Sequence, residues 1–331
     1  MLVDLDRADT GLFRDRRFDV CICGAGVAGI TLALGLSRKL NVLLLEAGGH
    51  EFTEASQSIY QGRNTGQDYF SLAATRLRYL GGTSNHWTGW CRPLDEHDFL
   101  PHDHVPWSGW PIRRGDLDPF LAEARSILDI PDDSDPEVNG KDAGLWGGIP
   151  SAAGFNSINF WWSAPTRFAE KYRRELETAA GITCCLNANL LDIRLEEGRS
   201  RVREVVTGNY SGKTFRVPVG TVVLAGGGIE NPRLLLNFDQ QHRRGLGNDR
   251  GLVGRFFTEH PHQHVGDFIL EDRVLDRIMW DGAEPYAYNR FFAPTGEFMQ
   301  REKVLNFGMR FLPAVTTPEK RVASFRERLR D

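Results

Sequence analysis

Residues 18–46 read FDVCICGAGVAGITLALGLSRKLNVLLLE, and this stretch decides the fold class. Phe18 to Cys23 is a β-branched and cysteine-rich run ending at a glycine, the pattern of a buried strand. Val27 to Leu36 carries apolar residues at helical spacing without a proline, and Asn41 to Leu45 is apolar again. Two strands joined by so short a helical crossover are parallel, so the chain is α/β. Gly24, Gly26 and Gly29 spell G-x-G-x-x-G between strand and helix, and Glu46 lies 20 residues beyond Gly26 at the end of the next strand. Each part has a task. Gly24 allows the tight turn, Gly26 lets the backbone approach a pyrophosphate, Gly29 lets helix and strand pack closely, and the helix N-terminus offers N–H groups to phosphates. Glu46 is placed to accept hydrogen bonds from a ribose diol and to repel a 2′-phosphate. The stretch therefore reads as a dinucleotide site, with NAD and FAD both open.

Outward from this motif, 331 residues at 41% hydrophobic and 25% charged leave room for one large or two ordinary cores, and exclude disorder, collagen and coiled coil. Forty Lys plus Arg against 44 Asp plus Glu give a net charge of −4, too even for electrostatic capture of nucleic acid or an anionic membrane. A small-molecule ligand fits better. The longest apolar runs, near Val20 to Cys23, Val42 to Leu45 and Val222 to Ala225, fall far short of the roughly 20 residues of a membrane helix. Met1 to Arg17 is charged and has no apolar stretch, so no secretory signal is expected and cytoplasm is the default. The five cysteines are odd in number, Cys184 and Cys185 are adjacent, and Cys21 and Cys23 share one strand face, which is no disulfide framework.

Further along, Gly48 to Gly89 reads as a glycine-rich extended loop, Asp116 to Leu128 as a helix and Asp129 to Asp142 as an acidic linker. A second helix is expected from Pro165 to Ala180, stopped by Gly181. Cys184 to Leu195, Arg201 to Thr207, Thr214 to Val219 and Thr221 to Ala225 predict a small meander returning to a buried strand, followed by a helix over Ile229 to Leu236. From Phe268 onward aromatic-rich pieces suggest a second, antiparallel domain. The expected division is 18–110 and 165–265 for a nucleotide domain, 111–164 for an insertion on the substrate side, and 266–331 for the start of a substrate domain.

Several segments together resemble one family. They are Cys23 to Gly29, Leu45-Glu46-Ala47-Gly48, Gly81-Gly82-Thr83-Ser84-Asn85-His86-Trp87, Ala225 to Leu236, Val253-Gly254-Arg255 and Glu259-His260-Pro261. In this order they are similar to the glucose-methanol-choline (GMC) flavoprotein oxidoreductases, nearest the pyranose oxidase and fructose dehydrogenase branch, over about residues 18 to 265. The resemblance implies FAD rather than NAD, held on a Rossmann-type FAD-binding domain with a discontinuous α+β substrate domain. It implies oxidation of a CH–OH group of a sugar or other alcohol, with hydride passing to flavin N5. The cofactor-binding residues it implies are Gly24, Ala25, Gly26, Val27, Ala28, Gly29, Glu46, Ala47, Gly81, Gly82, Thr83, Asn85, His86, Trp87, Leu190, Ala225, Gly226, Gly227 and Asn231. A covalent histidyl link to the flavin through His86 and a non-covalent His86 beside the ring both stay open, because Asn85 replaces the threonine usual before that histidine. The implied partners are a small-molecule substrate and an electron acceptor or a complementing subunit.

Beside the resemblance, Gly81 and Gly82 permit close approach to a flat ring, while Thr83, Ser84 and Asn85 offer polar groups. Glu230 reads as a residue favoured at a helix start, and Arg233 as an exposed helical arginine or a phosphate or substrate contact. His260, His262 and His264 alternate but lack a fourth ligand, so no metal site is expected. The acidic linker's partial calcium pattern fails at Trp146, where an acid is required. Trp87, Trp90, Trp107, Trp110, Trp161 and Trp162 offer flat faces suited to sugar rings or to a core cluster. No catalytic base can be assigned: relatives use a histidine in the C-terminal part, and no histidine follows His264. The chain is thus expected to stop before the segment its motifs call for.

Overall fold

The computed structural model describes residues 1–130, 154–164, 166–198, 200–266 and 288–310. The chain divides into two compact units, one of Met1–Thr88 with Pro165–Glu259, the other of Gly89–Ala164 with His260–Asp331.

The first unit begins with β1 (Leu2–Asp4), β2 (Phe18–Cys23), α1 (Val27–Leu36), β3 (Val42–Leu45) and the short α2 (Glu54–Gln57). After the excursion through β4 (Trp90–Cys91), α3 (Glu96–Phe99), α4 (Arg114–Leu117), α5 (Leu121–Ile127) and β5 (Phe155–Trp162), two short helices follow, α6 (Phe168–Lys171) and α7 (Arg173–Thr178). The unit is completed by β6 (Ile182–Leu186), β7 (Asn189–Leu195), β8 (Val202–Gly208), β9 (Thr214–Leu224) and α8 (Gly227–Asn237). Its seven strands form one sheet in the order β1-β6-β3-β2-β9-β8-β7. The first five run parallel and β8 and β7 are antiparallel additions at the edge. The parallel core explains the sequence: β3 and β6 are buried at every residue, which is why they read as unbroken apolar runs rather than alternating ones. Leu5, Phe13, Phe18, Cys21, Leu43, Cys185 and Val217 belong to the main core cluster, where Phe13 meets Phe18 and Phe215 edge to face.

Register sets the site. Cys23 pairs with both Leu45 and Leu224, so β3, β2 and β9 end at the same level and their following turns emerge side by side. In a parallel sheet this carboxyl end is where ligands bind.

The second unit contains a three-stranded antiparallel sheet in the order β10-β5-β4, with β10 at Tyr288–Pro294, and α9 at Gly296–Glu302. Trp90 pairs with Trp162 and Cys91 with Trp161 in this sheet.

The sequence expectations differ from the structure in several places. Residues 2–4, for which no element was expected, form β1, which pairs parallel with β6, and the Met1 ammonium donates to Ile182 O at 2.8 Å. The expected strand Cys184 to Leu195 is two strands, because Asn187 takes φ 53° and turns the chain from the parallel part of the sheet to its antiparallel edge. Thr214 to Leu224 is one strand running through Gly220. The helix expected over Pro165–Ala180 is broken at Tyr172 (φ −105°, ψ 10°) into α6 and α7; Pro165 itself lies outside the described residues. Pro119 sits in a tight 3-10 turn, Asp118–Phe120, that splits the helix expected at 116–128. The two compact units divide at Thr88/Gly89 and Glu259/His260, and β4 pairs with β5 from residue 90. Most of the acidic linker, the calcium-like pattern and the segment from Phe311 lie outside the described residues.

Candidate functional site

The G-x-G-x-x-G turn is shaped by steric necessity. Gly24 has φ +109°, a conformation that side chains disfavour, and a Cβ on Gly29 would lie 1.8 Å from Gly24 O, so helix and turn meet backbone to backbone. At Gly26 a Cβ would meet nothing within 4 Å, since this residue faces open space. Gly26 caps α1 in extended conformation without any side-chain acceptor, leaving first-turn N–H groups for a ligand.

The second glycine motif docks on the first although 55 residues separate Gly26 from Gly81. Gly81 N–H donates to Ala25 O at 2.8 Å, and a Cβ on Gly82 would lie 3.3 Å from Gly26 Cα. Gly82–Asn85 is a 3-10 turn held from below: Ser84 Oγ donates to Gly81 O (2.7 Å), Phe168 N–H to Ser84 Oγ (3.3 Å) and Arg167 Nη1 to Ser84 O (2.6 Å). The third motif, after β9, is tied by Asn231. Its Oδ1 accepts Gly226 N–H at 2.8 Å and its Nδ2 donates to Leu224 O at 3.1 Å.

These turns enclose a cleft of about 870 Å³. Of the residues expected to hold a cofactor, Gly24, Gly26, Val27, Ala28, Glu46, Ala47, Gly82, Thr83, Leu190, Ala225, Gly226 and Gly227 line it. The others lie outside its lining. Ala25, Gly29 and Gly81 shape the turns by the contacts given above, and Asn231 spends its amide on its own turn. Asn85 Nδ2 donates to Leu80 O (2.8 Å), Trp87 Nε1 donates to Thr166 O (3.0 Å), and His86 is exposed.

Glu46 is 5% exposed. Its Oε2 accepts Ala25 N–H at 2.9 Å and its Oε1 accepts Gly48 N–H at 3.0 Å, each leaving a lone pair. Burial pushes its pKa up, against the pull of these N–H groups and the Arg78 charge. Sequence reasoning missed a group of side chains around it. Arg78 Nη1 meets Tyr210 OH (2.6 Å), Ala47 O (3.3 Å) and Ser56 Oγ (3.3 Å), and Nη2 donates to Asn189 Oδ1 (2.8 Å). Tyr60 stacks under the Arg76 guanidinium at 3.9 Å, and burial, then the Glu46 and Glu230 charges, push its hydroxyl up to about 12. Arg76 and Arg78 alternate in the segment leading into Gly81, which was the one available signal; Tyr210, at the β8–β9 turn, had none. Glu230 lies in the first turn of α8, as expected, but makes no capping hydrogen bond; it is buried and ion-paired with Arg233 and Arg76.

The cleft lining holds four cationic side chains, Arg76, Arg78, Lys213 and Arg233, against two carboxylates, Glu46 and Glu230. The excess of two positive charges matches the two negative charges of a dinucleotide diphosphate, and the open wall at Gly26 gives its backbone contact. The residues fit such a group. Elsewhere, burial raises Cys91 to about 11 and Cys185 to about 12, so neither is a thiolate nucleophile. Trp161 is buried beside Arg125, whereas Trp107 and Trp110 are exposed, so the tryptophans of the second unit do not form one face. Among the described residues no group of three or more His, Cys, Asp or Glu is placed to hold a metal, and no helix is long and apolar enough to cross a membrane.

Parallel sheet, glycine turn and terminal acid define a dinucleotide-binding α/β protein. Residues 19–331 match the DAO family model, described as FAD dependent oxidoreductase, and the chain belongs to that family. A 2-methyl-1,2-propanediol dehydrogenase from Mycolicibacterium austroafricanum is 25% identical over 356 residues, covering 88% of this chain and 63% of that protein. The chain thus spans under two thirds of this curated relative. Among solved structures, pyridoxine 4-oxidase from Mesorbium loti is 19% identical with a TM-score of 0.42, covering 65% of this chain and 50% of its own. A mutant formate oxidase from Aspergillus oryzae RIB40, examined for FAD modification, is 17% identical with a TM-score of 0.41, covering 66% and 47%.

Proposed function

We propose that this FAD-dependent oxidoreductase is of the GMC type and oxidises a CH–OH group of an alcohol, diol or sugar. The observation that carries the cofactor half is the cleft itself, where three glycine turns, Glu46 and an excess of two positive charges converge. The donor class is supported by the motif resemblance and by the diol dehydrogenase relative. When bound, FAD supplies the two-electron acceptor for hydride from the donor carbon. The chain's own residues do the holding. Glu46 offers its free lone pairs to a ribose diol, and the α1 N-terminus and Gly26 present backbone to the diphosphate. The Gly81–Asn85 turn, pinned on Ala25 and Arg167 and braced by its own Ser84, brings Gly82, Thr83 and Ser84 into the cleft wall.

The visible spectrum of the purified protein, before and after anaerobic addition of short alcohols, vicinal diols and sugars, tests this. Yellow colour that bleaches with one of these donors supports the proposal. NAD-linked absorbance change without yellow colour overturns it. Bound FAD that no donor bleaches would instead select a second reading, a flavin-binding chain without turnover of its own. Acid precipitation decides the state of His86: colour that pellets with protein marks a covalent flavin, and colour wholly in the supernatant removes that link.

A further inference from the structure

Two guanidinium groups of the cleft wall converge on one carboxylate. Glu230 has 7% of its side chain exposed. Its Oε2 accepts Arg233 Nε at 2.9 Å and Arg76 Nη1 at 3.3 Å, and its Oε1 accepts Arg233 Nη2 at 2.5 Å. Arg233 is therefore gripped as a fork, while Arg76 is fixed by Glu230, by the Tyr60 ring and by Nε donation to Leu72 O at 3.3 Å. A guanidinium has five N–H donors. Arg76 directs only Nε and one Nη1 hydrogen at these partners, and its side chain is 13% exposed. The remaining donors lie at the cleft wall, where an anionic acceptor would complete them.

We propose that Glu230 is a positioning residue that holds Arg76 and Arg233 at the cleft wall to receive the diphosphate of FAD. The proposal rests on the reading of the cleft as the FAD site. Its signature is a sign. Removing a carboxylate from an anion site strengthens anion binding if charge alone matters, whereas releasing two oriented guanidinium groups weakens it.

The test titrates FAD into the stripped protein by flavin fluorescence at low and high salt, with the thermal midpoint of each apoprotein as the check on folding. Glu230→Gln with a retained midpoint is expected to bind FAD about tenfold more weakly, with a shallower salt dependence. Unchanged or tighter binding overturns the proposal. Where Glu230→Gln does not fold, Arg233→Met decides, because this side chain is 42% exposed and its loss spares the core. A several-fold weaker and less salt-sensitive FAD site supports the proposal, and an unaltered one sinks it. Absence of FAD binding by the wild-type protein overturns the underlying cofactor reading instead.

Discussion

The two glycine turns that follow neighbouring parallel strands β2 and β9 reach the same cleft by different means. After β2, the turn is made of backbone. Gly24, Gly26 and Gly29 leave no room for side chains at the packed positions and bare N–H groups at the open one. After β9 the turn is made of side chains. Asn231 closes it, Glu230 and Arg233 of α8 supply its charge, and Gly228 has nothing within 4 Å of a built Cβ. The first turn tolerates no side chain at Gly24 or Gly29 and carries a fixed spacing; around the second, Asn231, Glu230 and Arg233 can be retuned, although Gly227, at φ +90°, keeps one position for glycine.

Gly29→Ala should break the first turn outright. Its Cβ would overlap Gly24 O, and overpacking of backbone costs about 3 kcal/mol or more. The thermal midpoint and the fraction of purified protein carrying FAD should both fall sharply, and wild-type values would show that the turn is not backbone-locked. In the second turn, Asn231→Ala leaves the Gly226 N–H and the Leu224 carbonyl without their partner and should cost about 1–3 kcal/mol in urea unfolding.

Glu46 brings a charge to the first turn, where its carboxylate accepts Ala25 N–H. Burial raises its folded-state pKa, so the folded protein holds that proton more tightly than the unfolded chain does. Below the unfolded pKa the residue costs nothing; as pH rises from there to the folded pKa, its ionisation progressively lowers stability. Glu46→Gln should remove this slope, so that stability of variant minus wild-type apoprotein rises with pH above about 4.5 and then levels off. The same variant should bind FAD about tenfold more weakly, from the loss of charged acceptors. Smallest of all, Gly228→Ala has room for its methyl group within a helix and should stabilise by about 0.5 kcal/mol. A destabilising Gly228→Ala would mean that the second turn is also sterically closed.

The contrast explains what the sequence disclosed. Phe18 to Glu46 was legible because close packing demands glycine at fixed positions and full burial demands unbroken apolar runs. Gly81-Gly82 was legible for the same reason. The partner of Gly81 was not, since nothing local announces that its N–H reaches Ala25 O. Arg78, Tyr210 and Asn189 meet only because β7, β8 and the loop before Gly81 are folded together, a long-range fact with no periodic trace. Glu230 was legible in part: its place in a first helical turn suits the dipole, but nothing local announces that two arginines claim it. The break between β6 and β7 falls at Asn187, a residue that tolerates φ 53°, and that single local signal was outweighed by the apolar runs on either side.

The sheet order also has a consequence for how the protein is made. β2 lies between β3, which follows it at once, and β9, which begins at Thr214, about 190 residues later. At roughly 5–20 residues per second, a nascent chain on the ribosome waits about 10–40 s before the most recognisable part of its sequence gains its second neighbour. During that interval the β2 edge is an unpaired apolar template of the kind that invites aggregation. The nucleotide cleft, which needs α8 as well, can take up its ligand only after this late return. Cofactor capture therefore follows the return of β9 and α8 to the sheet rather than nucleating it.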